Sequence, residues 1–370
     1  MKKIAFLSCG RSDLSIYIPL INALKERNFI LTIIAFGSHT SKDYGKSLEE
    51  IESLKLDNII VIDQLNKGFT EIDITSSMSQ TILEFGKIWE SNDFHAVIAL
   101  GDRFEMFAAV ASGIPFNINF IHMHGGEKTL GAIDDVFRHS ITHMSKLHLT
   151  SSKHHSLRVR QLIGKEYSQY IHNVGSMALH NLKEIKIMNK KNFLESIKAP
   201  FQPYILITIH PETVNIKANK RLISASLEIL DKFNLNKIFT LPNNDTQANI
   251  IRESILAKKN KKGYFIYESL GVEGYYNAIH HCEVMFGNSS SGIIESMYFK
   301  KNVVNIGQRQ LGRETNKNIF HSAIDENEIF QALESALKSK KPSGDDIFFV
   351  QNAPQKTSQI IENYLDQLKA

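Results

Sequence analysis

The residues best suited to moving protons lie between positions 122 and 139. His122-Met123-His124-Gly125-Gly126-Glu127 is followed by Gly131-Ala132-Ile133-Asp134-Asp135-Val136-Phe137-Arg138-His139. Carboxylates, imidazoles and a guanidinium crowded around glycines fit general acid–base work on a bound polar molecule. Asp134 and Arg138 stand four residues apart, as do Asp135 and His139, so a helix here puts each pair on one face. The plainer reading is an acidic first turn complementing a helix dipole. Three further stretches favour chemistry. Gly101-Asp102-Arg103-Phe104-Glu105 offers Asp102 as an acid, or equally as the N-cap of a helix starting near Arg103. His210-Pro211-Glu212 offers a histidine donor. In Gly287-Asn288-Ser289-Ser290-Ser291-Gly292, small residues and hydroxyls ahead of a helix read as a phosphate cradle or as a plain helix cap.

Each stretch follows a short apolar run, and that position is what a parallel α/β sheet supplies at its carboxyl edge. The expected strands of the first half are Lys3 to Ser8, Ile30 to Phe36, Ile59 to Ile62, Ala96 to Leu100, Asn117 to His122 and Leu147 to Thr150. Those of the second half are Tyr204 to Ile209, Lys237 to Leu241, Tyr264 to Tyr267, Val284 to Phe286 and Val303 to Ile306. Amphipathic segments such as Ile16 to Arg27, Arg221 to Phe233 and Ile293 to Tyr298 alternate with them, the βαβ pattern of two α/β domains. The division is expected as an N-terminal Rossmann-like domain over 1–180, a second over 195–350, and a C-terminal helix over 353–370 packing back on the first.

Strand ends supply further candidates. The first strand runs into Gly10-Arg11-Ser12-Asp13, with Arg11 a cleft cation and Ser12 or Asp13 a helix cap. Gly307-Gln308-Arg309-Gln310-Leu311-Gly312-Arg313 offers Arg309 and Arg313 to a diphosphate. Glu295, one turn into the preceding helix, can accept ribose hydroxyls. Leu241-Pro242-Asn243-Asn244-Asp245 adds polar groups. No Gly-x-Gly-x-x-Gly or Walker A pattern occurs, which argues against dinucleotide dehydrogenases and P-loop enzymes. The pairs His122/His124, on one face of a strand, and His280/His281 with Cys282 lack the spacing of a metal-ligand set, so neither metal nor cofactor is expected.

The 370 residues carry a net charge of +4, which does not predict nucleic acid and suits an anionic small molecule. Two cysteines make no disulfide framework and point to a reducing cytoplasm. Neither a signal segment nor a membrane span is expected, because the apolar run Ile4 to Leu7 is far shorter than the roughly 7 to 15 residues a signal core needs.

Taken in order along the chain, these motifs resemble the hydrolysing UDP-N-acetylglucosamine 2-epimerase family, which feeds synthesis of sialic acid and related nonulosonic acids. The resemblance implies a GT-B fold, two Rossmann-like domains facing a central cleft, in homodimers or homotetramers. It implies a nucleotide-sugar substrate, eliminated to a 2-acetamidoglycal and then hydrated to a free manno-configured sugar plus nucleoside diphosphate. By motif position it makes Asp102 and Asp134 catalytic acids and places His210 near the leaving group. Arg11, Ser15, Arg103, Arg138, His139, Asn243, Ser289, Ser290, Glu295 and Arg309 become substrate-binding residues.

The departures are specific. Where sialic acid members carry His-Ile-Glu-Gly-Gly-Glu, this chain has His124 in place of the first glutamate, so either His124 or Glu127 takes over its role. One extra residue precedes Gly131, a lysine expected after Arg11 is Ile16, and an arginine expected before Glu295 is Ile294. Similar changes occur in members that act on nucleotide-linked 2,4-diacetamido-2,4,6-trideoxyhexoses for legionaminic acid. The other readings are a non-hydrolysing 2-epimerase, a glycosyltransferase on the same fold, and a nucleotide-sugar sensor without turnover.

Overall fold

The computed structural model describes residues 1–40, 47–63, 70–128, 134–182, 185–212, 217–242 and 248–368. The chain divides into two compact units, Met1–Glu127 with Ile133–Asn181 and Phe348–Ala370, and Lys128–Ala132 with Leu182–Ile347.

The first unit is built on β1 (Lys3–Ser8), β2 (Ile30–Ala35), β3 (Asn58–Val61), β4 (Ala96–Leu100), β5 (Phe120–Met123), β6 (Leu147–Thr150) and β7 (Ile171–Asn173). All pair in parallel, in the order β3-β2-β1-β4-β5-β6-β7. Its helices are α1 (Arg11–Lys25), α2 (Ser47–Ser53), α3 (Glu71–Ser91), α4 (Phe104–Gly113), α5 (Asp134–Met144), α6 (Lys153–Ile163) and α7 (Ala178–Asn181). The second unit repeats the topology in β8 (Tyr204–Thr208), β9 (Asn236–Thr240), β10 (Tyr264–Tyr267), β11 (Val284–Gly287), β12 (Asn302–Ile306) and β13 (Ile319–Ser322), in the order β10-β9-β8-β11-β12-β13. Its helices are α8 (Lys190–Ser196), α9 (Ala218–Asp231), α10 (Ala248–Leu256), α11 (Gly271–His281), α12 (Ser290–Ile294) and α13 (Glu326–Lys338). Then α14 (Ala353–Gln367) returns to the first unit, packing on α1. There Arg27 pairs with Glu362 and donates to Ser358, and the Tyr364 hydroxyl donates to Asn119 at 2.6 Å.

Alternation along the strands explains why both faces of the second sheet are apolar. Ile205 and Ile207 enter one core with Leu222, Phe239 and Leu333, while Tyr204 and Leu206 enter another with Phe193, Ile279 and Met285. In the first unit Ile4 to Leu7 are fully buried on both faces, and Phe36, Phe85, Trp89, Phe94 and Phe120 form a chain of mostly edge-on ring contacts.

Three expectations change. The fifth strand starts at Phe120, not Asn117, because Asn117 adopts φ +52° and its N–H closes a turn on Ile114 O. The edge strands β7 and β13 escape the sequence reading because they are short, partly exposed and polar at their ends. Helix α1 begins at Arg11 and is not capped by Ser12 or Asp13; the Asp13 carboxylate instead accepts the Cys9 N–H at 2.8 Å and the Cys9 thiol at 3.2 Å. The same helix runs through Pro19, which has no N–H for the Ser15 carbonyl, and the Asn181 side-chain amide donates to that carbonyl instead.

Candidate active site

In both sheets the strand order reverses between the first and fourth strands of the unit, and such switch points are where ligands bind in open α/β sheets. In the first unit the switch lies between β1 and β4, and β5 and β6 extend the same edge.

Arg103, not Asp102, occupies the N-cap of α4, without a capping hydrogen bond from its side chain. This corrects the capping alternative and leaves the Asp102 carboxylate to accept from Arg138 across on α5. Arg138 is buried, and its other terminal nitrogen faces Glu127 Oε2 at 3.9 Å. Helix α5 puts Asp134 and Arg138 on one face as expected, and Arg138 adds ion pairing from α5 to the ends of β4 and β5. His122 explains how those elements keep their register. Its Nε2 must donate to the Gly101 carbonyl at 2.9 Å, since a carbonyl only accepts, while Nδ1 lies 3.1 Å from the Thr142 hydroxyl, which donates to the Arg138 carbonyl at 3.0 Å. Burial lowers its pKa to about 4, so this neutral tautomer persists at neutral pH.

His124 does not share a strand face with His122. It lies beyond β5 at φ +62°, and its Nδ1 meets Glu127 Oε1 at 2.8 Å. Gly126 at φ +79° is required here, because a Cβ would stand 2.4 Å from the His155 carbonyl oxygen. Ser151 donates to the same Glu127 oxygen at 2.8 Å and lies 2.9 Å from His155 Nδ1. Neither Ser151 nor His155 emerges from the sequence reading. The signal was available in the hydroxyl run Thr150-Ser151-Ser152 at a strand's carboxyl end.

Asp134 opens α5 half-buried; burial raises its pKa, opposed by the Arg103 charge. Arg103 itself bonds Glu105 at 3.2 Å with a partly exposed side chain. His139 follows Arg138 on α5, also half-buried. Ser15 faces outward on α1, its hydroxyl donating to the Ser12 carbonyl at 2.8 Å. The Arg11 side chain, the segment 131–133 and Asn243 with its neighbours lie outside the described residues.

In the second unit the switch point is marked by a clamp. Asn288 accepts the His210 N–H at 2.7 Å and donates to the His210 carbonyl at 2.9 Å, joining the ends of β8 and β11. Gly287, at φ +137°, permits that approach, since a Cβ would overlap the Thr208 carbonyl oxygen. The Asn288 carbonyl accepts from Gln310 at 2.8 Å and from Arg309 at 3.2 Å. Arg313 lines a cavity of about 570 Å3 with Glu212, Gln308 and His321. Burial, then the Arg309 charge, lowers His210 to about 3, making it a neutral ring.

Ser289 caps α12, which begins at Ser290 and ends at Ile294. The expected helix Ile293 to Tyr298 is therefore one short turn placed earlier. Ser289 and Ser291 hydroxyls lie 3.0 Å apart, and the Tyr275 hydroxyl reaches Ser291 at 2.6 Å. Glu295 sits at the C-cap of α12, where burial pushes its pKa up to about 7 and the Tyr276 hydroxyl donates to it at 3.4 Å. Tyr275 and Tyr276 went unread because an aromatic pair on a helix reads first as core. Among the described residues, no three His, Cys, Asp or Glu side chains gather as a metal ion requires, and no helix is long and apolar enough to cross a membrane.

This arrangement puts paired acids and imidazoles at one switch point and anion donors at the other. The UDP-N-acetylglucosamine 2-epimerase family pattern matches residues 22–362. A GDP/UDP-N,N'-diacetylbacillosamine 2-epimerase (hydrolyzing) of Campylobacter jejuni is 35% identical over 341 residues, 90% of this chain and 88% of that protein. The chain belongs to the UDP-N-acetylglucosamine 2-epimerase family. A polysialic acid biosynthesis protein of Escherichia coli is 32% identical over 374 residues, 99% of this chain and 95% of its own. Among solved structures, the Methanocaldococcus jannaschii UDP-GlcNAc 2-epimerase in complex with UDP-GlcNAc and UDP matches with a TM-score of 0.80 at 19% identity, over 98% of this chain and all of that one. The fold of this 2-epimerase family member is accordingly α/β of the GT-B class, with two Rossmann-like units.

Proposed function

We propose that this 2-epimerase is of the hydrolysing type. It converts UDP-N-acetylglucosamine, or a UDP- or GDP-linked 2,4-diacetamido-2,4,6-trideoxyglucose, to the free 2-epimeric manno sugar and nucleoside diphosphate. The observation that carries this reading is the acid–base cluster on the first sheet edge, where Asp102, Arg138, Glu127 and His124 interlock and the half-buried Asp134 opens the helix that carries Arg138. Elimination needs a base at C2, and hydration needs an acid on the opposite ring face. The raised pKa of Asp134 suits the acid that returns a proton to C2. Asp102, fixed by Arg138, is the second acid. In the second unit Ser289, Ser290 and Arg309 hold the diphosphate, Glu295 takes ribose hydroxyls, and His210 lies against the leaving phosphate as a neutral donor. The Campylobacter relative, named as hydrolyzing and as using GDP or UDP sugars, supports both the water step and the diacetamido substrate.

Proton NMR in deuterated water tests the reading with each of the three nucleotide sugars. The expected outcome is a free manno-configured sugar bearing deuterium at C2 and a stoichiometric nucleoside diphosphate. Accumulation of the 2-epimeric nucleotide sugar with no lasting diphosphate release would make the enzyme non-hydrolysing. Saturable binding with no turnover would make it a sensor.

A further inference from the structure

We propose that His124 and Glu127 form a proton-transfer dyad, in which His124 Nε2 removes the substrate's C2 proton and Glu127 only orients the imidazole. The inference rests on the 2-epimerase reading above and assigns a role it leaves open. The direction of each hydrogen bond carries it. Ser151 donates its one proton to Glu127 Oε1, so His155 must turn an Nδ1–H toward the Ser151 oxygen. The same Oε1 receives His124 Nδ1–H at 2.8 Å, and Oε2 faces Arg138 at 3.9 Å. Donors thus converge on Glu127 from the residue after β6, from α5 and from its own turn, and its oxygens are engaged in holding them.

His124 is arranged in the opposite sense. With Nδ1–H engaged, the neutral ring presents Nε2 as an acceptor, and that atom is buried with no hydrogen-bond partner among the described residues. Only 8% of the residue is exposed. A buried acceptor left without a partner is unfavourable, and a functional demand explains why the fold retains it. The backbone reinforces the aim. His124 holds φ +62°, uncommon for a residue with a side chain, while its N–H is fixed on the Leu149 carbonyl at 3.0 Å.

In the step itself Nε2 takes the C2 proton as the C1–O bond breaks. The C2–H electron pair becomes the C1–C2 double bond, and the C1–O pair leaves on the nucleoside diphosphate. The imidazolium formed lies against the Glu127 carboxylate. Water then bonds through oxygen to C1, Asp134 delivers a proton to C2 and recovers one from that water, and His124 returns its proton to solvent.

The test compares the wild-type chain with His124→Gln, His124→Asn and Glu127→Gln. Turnover of the three nucleotide sugars, pH profiles of kcat/KM, UDP affinity by calorimetry and far-UV circular dichroism are measured together. His124→Gln is expected to lose about 10²- to 10⁴-fold in turnover, with UDP affinity unchanged. Glu127→Gln is expected to lose about 10- to 100-fold and to move the acidic limb of the profile to lower pH, because the imidazolium loses its counter-charge. A purely structural Glu127 would not move that limb. Should both folded His124 variants keep more than about a tenth of wild-type turnover, below the least loss expected of an acid–base group, or should the limb stay put in Glu127→Gln, the dyad is wrong while the 2-epimerase reading stands. A wild-type chain inactive on all three sugars overturns both.

Discussion

The two sheet edges share one topology and carry different groups. In the first unit the switch-point edge holds side chains that ionise, locked to one another: Arg138 between Asp102 and Glu127, His122 between Gly101 and Thr142, and Glu127 against His124 and Ser151. In the second unit the corresponding edge is held by amide and backbone groups, with Asn288 clamping His210 and receiving Gln310 and Arg309. The contrast separates two demands that one fold meets in duplicate. Proton transfer needs charged groups whose geometry is fixed before substrate arrives, whereas anion binding needs donors with few internal acceptors.

Exchanging an arginine on each edge should break the comparison most sharply. Arg138→Met leaves the Asp102 and Glu127 carboxylates without their buried cation, so urea unfolding should show a loss of about 3 to 5 kcal/mol, with turnover abolished. Arg309→Met removes one hydrogen bond to the Asn288 carbonyl, a loss of about 1 kcal/mol; its larger effect should be weakened UDP binding by calorimetry. Similar stability losses in the two variants would erase the distinction.

Asp134→Asn comes next. It should lower turnover about 10²- to 10⁴-fold and leave UDP affinity alone, since the nucleotide contacts are assigned to the second unit. Deuterium incorporation at C2, followed with calorimetry, checks both halves. A fall in UDP affinity matching the fall in turnover would remove Asp134 from the proton-transfer set.

Acid should weaken both units, the second less: His210, lowered to about 3 by burial, shares the loss there, but Glu295 opposes it. His122 and His155 have folded pKa values lowered to about 4 and His148 to about 3, all by burial. Their contribution is fully present above the unfolded value of about 6.5 and is lost as pH falls from there toward 4, because the unfolded chain binds those protons first. Asp13 and Asp134, raised by burial, reduce that loss without sharing its cause. Glu295 runs the other way: raised to about 7, it costs stability as pH climbs from about 4.5 to 7, and acidification over that range relieves the cost. Hydrogen exchange at pH 7 and pH 5 should therefore show β5 and β6 amides losing more protection than those of β11. Glu295→Gln should remove that opposition and leave His210 to increase the acid loss of the second unit, with the first unit unchanged.

Much of this was legible in the sequence because parallel sheets write themselves as apolar runs ending in turn residues. The bounds of β1, β4, β6 and β10 fall where those runs do. The edge strands β7 and β13 were invisible, since a strand covered on one side needs no continuous apolar run. Candidate residues were legible one motif at a time, but not their partners. Asp102 with Arg138 and Glu127 with Ser151 join residues 36 and 24 positions apart, and spacing says nothing about such pairs. Local patterns misled in a consistent way. Asp102 and Asp13 both stand where a cap belongs, and in both the carboxylate is drawn elsewhere, to a guanidinium and to Cys9.

The smallest effect sharpens the comparison from the second unit's side. Ser289 is the N-cap of α12, yet its oxygen accepts the Ser291 N–H at a long 3.4 Å, and Ser291 is also held by Tyr275 at 2.6 Å. Ser289→Ala should therefore cost less than the roughly 1 kcal/mol typical of a lost cap. If the hydroxyl serves the diphosphate, the same substitution should weaken UDP about five-fold, the value of one hydrogen bond worth about 1 kcal/mol. Calorimetry and urea unfolding on one preparation separate the roles. Loss of affinity without loss of stability makes Ser289 a ligand donor that the short helix holds in place, while the reverse makes it a cap and shifts the anion's recognition to Ser290 and Arg309.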